Sequence, residues 1–257
     1  MTTVRGVNVI QTPCCGELYG TPAYGSINLS AQEYWTDGRR VGSLFNTDGG
    51  LRHCQCGAYY LLKRCEDIET IRTPRYKPRA PKGWQRTKDN WWNRFLGKPT
   101  LSDYLLNYDI RTDEEIKAAE DALPPMTKQV ADAHMPDVIE QCRGDAEMLI
   151  IARRRWWQHL NEPFRELYRT YKQTNPDTFP YFQANDVQMA NMLALIALLK
   201  NSEAPPWLEL AELFREAGFM DAAAEALQMA DATDSTLAKV LRELMAVNYC
   251  GPARFRY

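Results

Sequence analysis

Two closely spaced cysteine pairs constrain this chain most: Cys14-Cys15-Gly16 and Cys54-Gln55-Cys56-Gly57. In each, the last cysteine precedes a glycine, the residue that lets a backbone turn sharply. A turn of that kind offers thiolates to a single metal ion. The surrounding stretch, residues 1–70, reads as short strands and turns. Val7-Asn8-Val9-Ile10, Tyr24 to Leu29 and Ala58 to Leu62 are β-prone, and Asp37-Gly38 and Asp48-Gly49-Gly50 punctuate them. Strands so short enclose a thin core, and a bound metal compensates for that. Cys65, Cys142 and Cys250 stand apart without ligand spacing and read as small buried hydrophobes.

Compartment and class follow from the rest of the composition. Met1 to Gln11 has no charged segment followed by an apolar one, so no secretory signal is expected. No apolar run approaches the roughly 20 residues that span a bilayer. The expectation is a cytoplasmic protein without membrane contact, whose seven cysteines stay reduced and favour metal or core roles over disulfides. Hydrophobic residues at 45% and charged residues at 25% exclude disorder as the general state. Charge is uneven along the chain: residues 1–100 carry 15 Lys and Arg against 8 Asp and Glu, whereas residues 101–257 carry 16 against 25. A basic part beside an acidic part suggests separate domains.

Three segments are expected. Residues 1–70 form the β module. Residues 71–100 form a basic, aromatic connector, where prolines break regular structure and Asp89 is the one acid among nine basic side chains. Residues 101–257 are helical. Thr112-Asp113-Glu114-Glu115 is a capping box that starts a helix running to Leu123. Asp137 lies in a short helix ending near Gly144. Leu149, Trp156, Leu160, Phe164, Leu167 and Tyr171 recur at helical steps, with a division expected at Asn161 ahead of Pro163. Asn185 opens a helix apolar on most faces, which places it centrally in the core.

The cysteine segments resemble the knuckles of a zinc ribbon, each usually Cys-x-x-Cys-Gly. In Thr12-Pro13-Cys14-Cys15-Gly16 the first cysteine is replaced by Thr12; the second segment offers Cys54-x-Cys56 or His53-x-x-Cys56. The resemblance covers roughly residues 11–62 and implies a structural zinc on Cys15, Cys54 and Cys56, with Cys14 or His53 as the fourth ligand. The bland alternative keeps the cysteines as core residues without metal.

The segment from Trp207 to Ala230 resembles one tetratricopeptide repeat. Trp207, Leu210, Ala211, Phe214, Ala223, Leu227 and Ala230 fall at its offsets, with Gly218 in the turn and Ala211 in place of the usual glycine. The resemblance implies a helical hairpin over 204–237, covered by neighbouring helices, with Trp207 and Phe214 as candidate protein-binding residues. The same apolar stripe also serves plain core packing.

Two further readings stay open. Arg79, Lys82, Trp84 and Arg86 of the connector pair cations with an aromatic ring, as a nucleic-acid surface does. Arg154 and His159 resemble the Arg–His motif of HEPN-type helical ribonucleases. No Gly-rich phosphate loop, Gly-x-Ser-x-Gly elbow or His-Glu-x-x-His helix is present, and three histidines leave few acid–base options. The sequence therefore predicts an α+β protein: a zinc-ribbon-like β module followed by an all-α, tetratricopeptide-like domain. Its expected role is non-catalytic, an adaptor, regulator or inhibitor with an unidentified protein partner, in the manner of bacterial secretion, toxin-immunity or defence systems. A nucleic-acid-associated zinc-ribbon factor and a helical ribonuclease are the alternatives.

Overall fold

The computed structural model describes residues 3–26, 31–42, 49–71, 112–230 and 235–255. In chain order the strands are β1 (Thr3–Gln11), β2 (Leu18–Ser26), β3 (Glu33–Trp35), β4 (Arg40–Val41), β5 (Leu51–His53), β6 (Tyr59–Leu61), β7 (Glu66–Ile71), β8 (Lys128–Gln129) and β9 (Arg254–Phe255). The helices are α1 (Asp113–Asp121), α2 (Met135–Gln141), α3 (Ala146–Leu160), α4 (Glu162–Thr174), α5 (Asp186–Lys200), α6 (Trp207–Glu216), α7 (Met220–Met229) and α8 (Thr236–Ala246). This is an α+β protein. Backbone contacts divide it into two units, residues 1–28 with 64–127, and residues 29–63 with 128–257. The connector, residues 71–100, lies outside the described residues apart from Ile71.

In the first unit an antiparallel sheet runs in the order β2-β1-β7. Val7 and Val9 are buried from one face of β1, as alternation requires. Ile10 is buried too, next to a register shift between Val9 and Ile10 against β7. The irregularity lets two consecutive residues face inward. Gly20 of β2 is needed for close approach: a Cβ there would stand 2.7 Å from a Val7 methyl and 2.9 Å from Met126 Sδ. Its backbone bonds the 125–127 segment on both sides, accepting from Thr127 N at 3.0 Å and donating to Pro125 O at 2.9 Å. β7 is an outer strand with exposed Glu66, Asp67 and Glu69, charges that discourage further pairing. Thr112 caps α1 reciprocally with Glu115, at 3.1 and 2.8 Å.

The second unit holds two small antiparallel sheets, β4-β3-β9 and β6-β5-β8, with α2 to α8. Its main core joins Trp157 of α3, Met192, Leu195 and Leu199 of α5, Leu210 and Leu213 of α6, Leu227 of α7 and Leu241 of α8. α5 is central, as its apolar sequence implied. Asn185 caps it with a full capping box on Gln188. A second cluster packs Leu51 and Leu61 against Met135, Val138 and Met148; a third surrounds Trp35 with Tyr168, Leu244 and Tyr249.

The α3–α4 run divides at Asn161, the expected place, but Asn161 does not cap α4 with its side chain. It is buried, and its amide is spent on carboxylates across the core. Proline at the second position of α4 therefore makes the break. α6 ends in a Schellman-type turn: Phe219 N donates to Phe214 O at 2.8 Å and Gly218 takes φ 82°. α7 then packs directly on α6.

Candidate functional sites: a cysteine cluster and a tryptophan-lined cavity

Both cysteine pairs sit in strand-connecting turns closed by a pair of backbone bonds, the first turn one residue longer than the second. Between β1 and β2, Gly16 N donates to Thr12 O at 3.0 Å and Thr12 N to Glu17 O at 2.9 Å. Between β5 and β6, Gly57 N donates to Cys54 O at 3.0 Å and Cys54 N to Ala58 O at 2.9 Å. Gly16 and Gly57 take φ of 75° and 90°, left-handed values that suit glycine, which is why each pair ends in Cys-Gly.

Cys14 and Cys15 of one turn and Cys54 and Cys56 of the other form a group that could hold a metal ion. Cys14 and Cys15 lie in the turn Pro13 to Cys15, where successive side chains need not diverge as they do along an extended strand. Thr12 is buried, and its hydroxyl lies 3.5 Å from Cys15 Sγ. Cys54 is buried while Cys14, Cys15 and Cys56 are exposed. His53, the other candidate fourth ligand, is exposed at the end of β5, with its ring 5.1 Å from that of Tyr59. It is not among the four clustered groups. The described cysteines form no disulfide.

The second site is a cavity of about 690 Å³ within the second unit. Three segments build it. The β3–β4 turn supplies Thr36, Asp37 and Gly38; α3 supplies Arg154, Trp157 and Gln158; the start of α6 supplies Trp207, Leu208 and Glu209 after Pro205-Pro206. Positions 154, 157 and 158 share one helical face. The Arg154 guanidinium forks onto Glu209, Nε to Oε1 at 2.6 Å and Nη2 to Oε2 at 2.7 Å, tying α3 to the first turn of α6.

Behind the cavity wall lies a buried polar network that the sequence reading missed. Asp37 pairs with Arg165, both fully buried, and accepts from Asn161 Nδ2 at 3.0 Å. Glu216 accepts from Trp157 Nε1 at 2.6 Å and Asn161 Nδ2 at 3.0 Å. Arg215 forks onto Glu212 with two contacts of 2.7 Å and donates to Gly251 O at 2.9 Å and to Tyr249 O. Asp37, Glu212 and Glu216 thus meet two buried arginines, and the partly exposed Glu162 also accepts from Arg165 Nη1 at 2.6 Å. Burial, then the Glu212 and Asp37 carboxylates, raise the Glu216 carboxyl well above its ordinary range, against the pull of Arg215 and Asn161. A signal for part of this was available: Glu212 and Arg215 are spaced i,i+3 inside the apolar helix beginning at Trp207. Asp37 lay hidden in what reads simply as an Asp-Gly turn.

The remaining sequence candidates are placed as follows. Trp207 is partly buried and lines the cavity, whereas Phe214 packs on the main core. Arg154 is held by Glu209, and His159 stacks on Trp156 at 5.2 Å. The two side chains diverge by roughly 140° around α3. Arg79, Lys82, Trp84 and Arg86 lie outside the described residues. Among the described residues no helix is long and apolar enough to cross a membrane. No protein-family model, no curated protein and no solved structure matches this chain.

Proposed function

We propose that this is a non-catalytic protein-interaction protein of the cytoplasm, an adaptor, regulator or inhibitor, with a zinc ion on its cysteine turns. The observation that carries the interaction reading is the cavity: it opens at the start of the tetratricopeptide-like α6–α7 hairpin, and Trp207 lines it. Tryptophan half-buried beside a concave apolar surface is a favoured anchor for a partner. Inside the hairpin, Ala211 and Ala223 are fully buried, so small side chains let the helices approach as that repeat requires.

Zinc is supported by the donor set. Four thiolates suit a borderline-soft tetrahedral ion and fill its coordination without an open position, which is a structural rather than a catalytic arrangement. The nucleic-acid alternative rests on residues 79–86 and gains nothing from the described parts. The ribonuclease alternative needs Arg154 and His159 together, and the Glu209 fork and the Trp156 stack engage them separately.

The test is retention of a partner from the native host by tagged wild-type protein and by Trp207→Ala. The expected result is a stoichiometric protein retained by wild type and lost from the variant. Equal retention by both, or no retained protein, would overturn the reading.

A further inference from the structure

We propose that the outward face of α5 pairs two copies of this chain, helix against antiparallel helix about a two-fold axis. The inference goes beyond the cavity, whose lining includes no residue of this face.

The sequence of α5 raises the question. Asp186 and Lys200, at its two ends, are its only charged residues, and from Val187 to Leu199 there is none. A helix apolar on every side belongs in an interior, whereas a helix at the surface turns charges to water. α5 is inside on one side only. Gln188, Asn191, Met192, Leu195, Ile196 and Leu199 are buried. Leu193 and Val187 are 44% and 56% exposed, and Ala190 and Ala197 are exposed as well. At 3.6 residues per turn, Asp186, Ala190, Leu193, Ala197 and Lys200 fall within about 80° of one another around the helix, and all five are exposed. Val187 and the partly buried Ala194 and Leu198 widen this strip on one flank. The outward face is therefore apolar along its length, with one charge at each end.

Those charges identify the occupant. Asp186 and Lys200 have no ion-pair partner among the described residues. Each suits the dipole of its own helix, which accounts for its sign but not for the uncharged strip between them. Leu193 stands midway between them in the chain. When a second α5 lies antiparallel with the two Leu193 side chains at the axis, Asp186 of each copy meets Lys200 of the other. Ala190 and Ala197 then flank the axis on both copies. A surface complementary to itself in this way is what a two-fold dimer requires. A parallel pair would instead set Asp186 on Asp186 and Lys200 on Lys200. An unrelated partner gives no reason for opposite charges placed symmetrically about one leucine.

The exposed ion pairs set direction and register, while the apolar strip supplies affinity. A helix face roughly 22 Å long and 10 Å wide offers less than the roughly 800 Å² per partner of a standard interface, so the pair is of the weak, reversible class, with a dissociation constant of about 10–100 µM.

Sedimentation equilibrium of the full chain, run from about 5 µM to about 1 mM to bracket that constant, should show a reversible monomer–dimer equilibrium. Leu193→Glu sets two carboxylates at the axis and should weaken it at least about tenfold, with an unchanged thermal melt because the side chain is exposed. Asp186→Lys and Lys200→Asp each put like charges together and should each weaken self-association roughly tenfold. An equimolar mixture of those two variants should regain wild-type affinity, a rescue that requires both chains to be folded. Protein that stays monomeric at about 1 mM overturns the proposal, as does a dimer that survives Leu193→Glu. Single charge variants that pair like wild type, or a mixture that does not recover, overturn it likewise. Monomeric wild type that sediments with phosphatidylcholine vesicles, and no longer does so as Leu193→Glu, would assign the face to a lipid surface instead. Trp207→Ala should dimerise like wild type, so the dimer and partner retention at the cavity stand or fall separately.

Discussion

Glu216 carries an unusual load for a single side chain. It is buried beside Glu212 and Asp37, and its Oε2 accepts from both Trp157 and Asn161. Because its folded pKa is raised, folding holds a proton that the unfolded chain releases near the ordinary value of about 4.3. The sign is that of a raised carboxyl: this contribution is complete below the unfolded pKa and is lost as pH climbs toward the folded one. Denaturant unfolding should therefore show stability falling between about pH 4.5 and that higher value, at no more than roughly 1.4 kcal/mol per pH unit. Glu216→Gln keeps an oxygen acceptor for Trp157 and Asn161 but cannot ionise, so its profile should be flatter over that window. Parallel profiles for variant and wild type would show that Glu216 does not hold the proton.

At the scale of elements, two constructions invite direct test. Ala223 has no exposed surface where α7 packs on α6. Ala223→Leu should cost roughly 1–3 kcal/mol by overpacking, read from the shift in denaturation midpoint. A neutral substitution would mean that the hairpin has slack there and would remove the tetratricopeptide comparison. The paired Cys-Gly turns should bring about one zinc per chain, measured by elemental analysis of protein purified without chelator. Cys56→Ser should lose that metal and with it binding energy that is also folding energy, on the order of 10 kcal/mol for a structural zinc at neutral pH. Metal-free wild-type protein would leave the cysteines as a packing cluster. These elements were legible because local rules made them: Thr112 and Asn185 announced helix starts, and Gly16 and Gly57 marked turns. Asn161 is of the residue type that caps helices, yet its side chain serves Asp37 and Glu216, two partners far along the chain.

Over the whole molecule, charge argues about partners. Residues 101–257 carry 25 acids against 16 basic side chains, a field that repels phosphate at long range. The full chain is expected not to bind single-stranded RNA at micromolar concentration near physiological salt in an anisotropy titration. Binding that charge reversal at Arg79, Lys82 and Arg86 abolishes would move the function to the connector.

What the sequence determined by itself was whatever depends on near neighbours in the chain: the α+β class, the capped helices, the break before Pro163, the turns that present the cysteines. It also pointed to one wall of the cavity through Trp207. Only the tertiary structure decided the rest. The cysteine group that could hold a metal takes in Cys14 and not His53. Arg165 became a core residue because the Asp37 carboxylate, far away in the chain, met it there. The cavity lining brings together residues far apart in sequence, among them Arg154 of α3 and Glu209 in the first turn of α6, which pair across it. A buried charge whose partner comes from elsewhere in the fold, as Asp37 does for Arg165, is encoded by no local spacing.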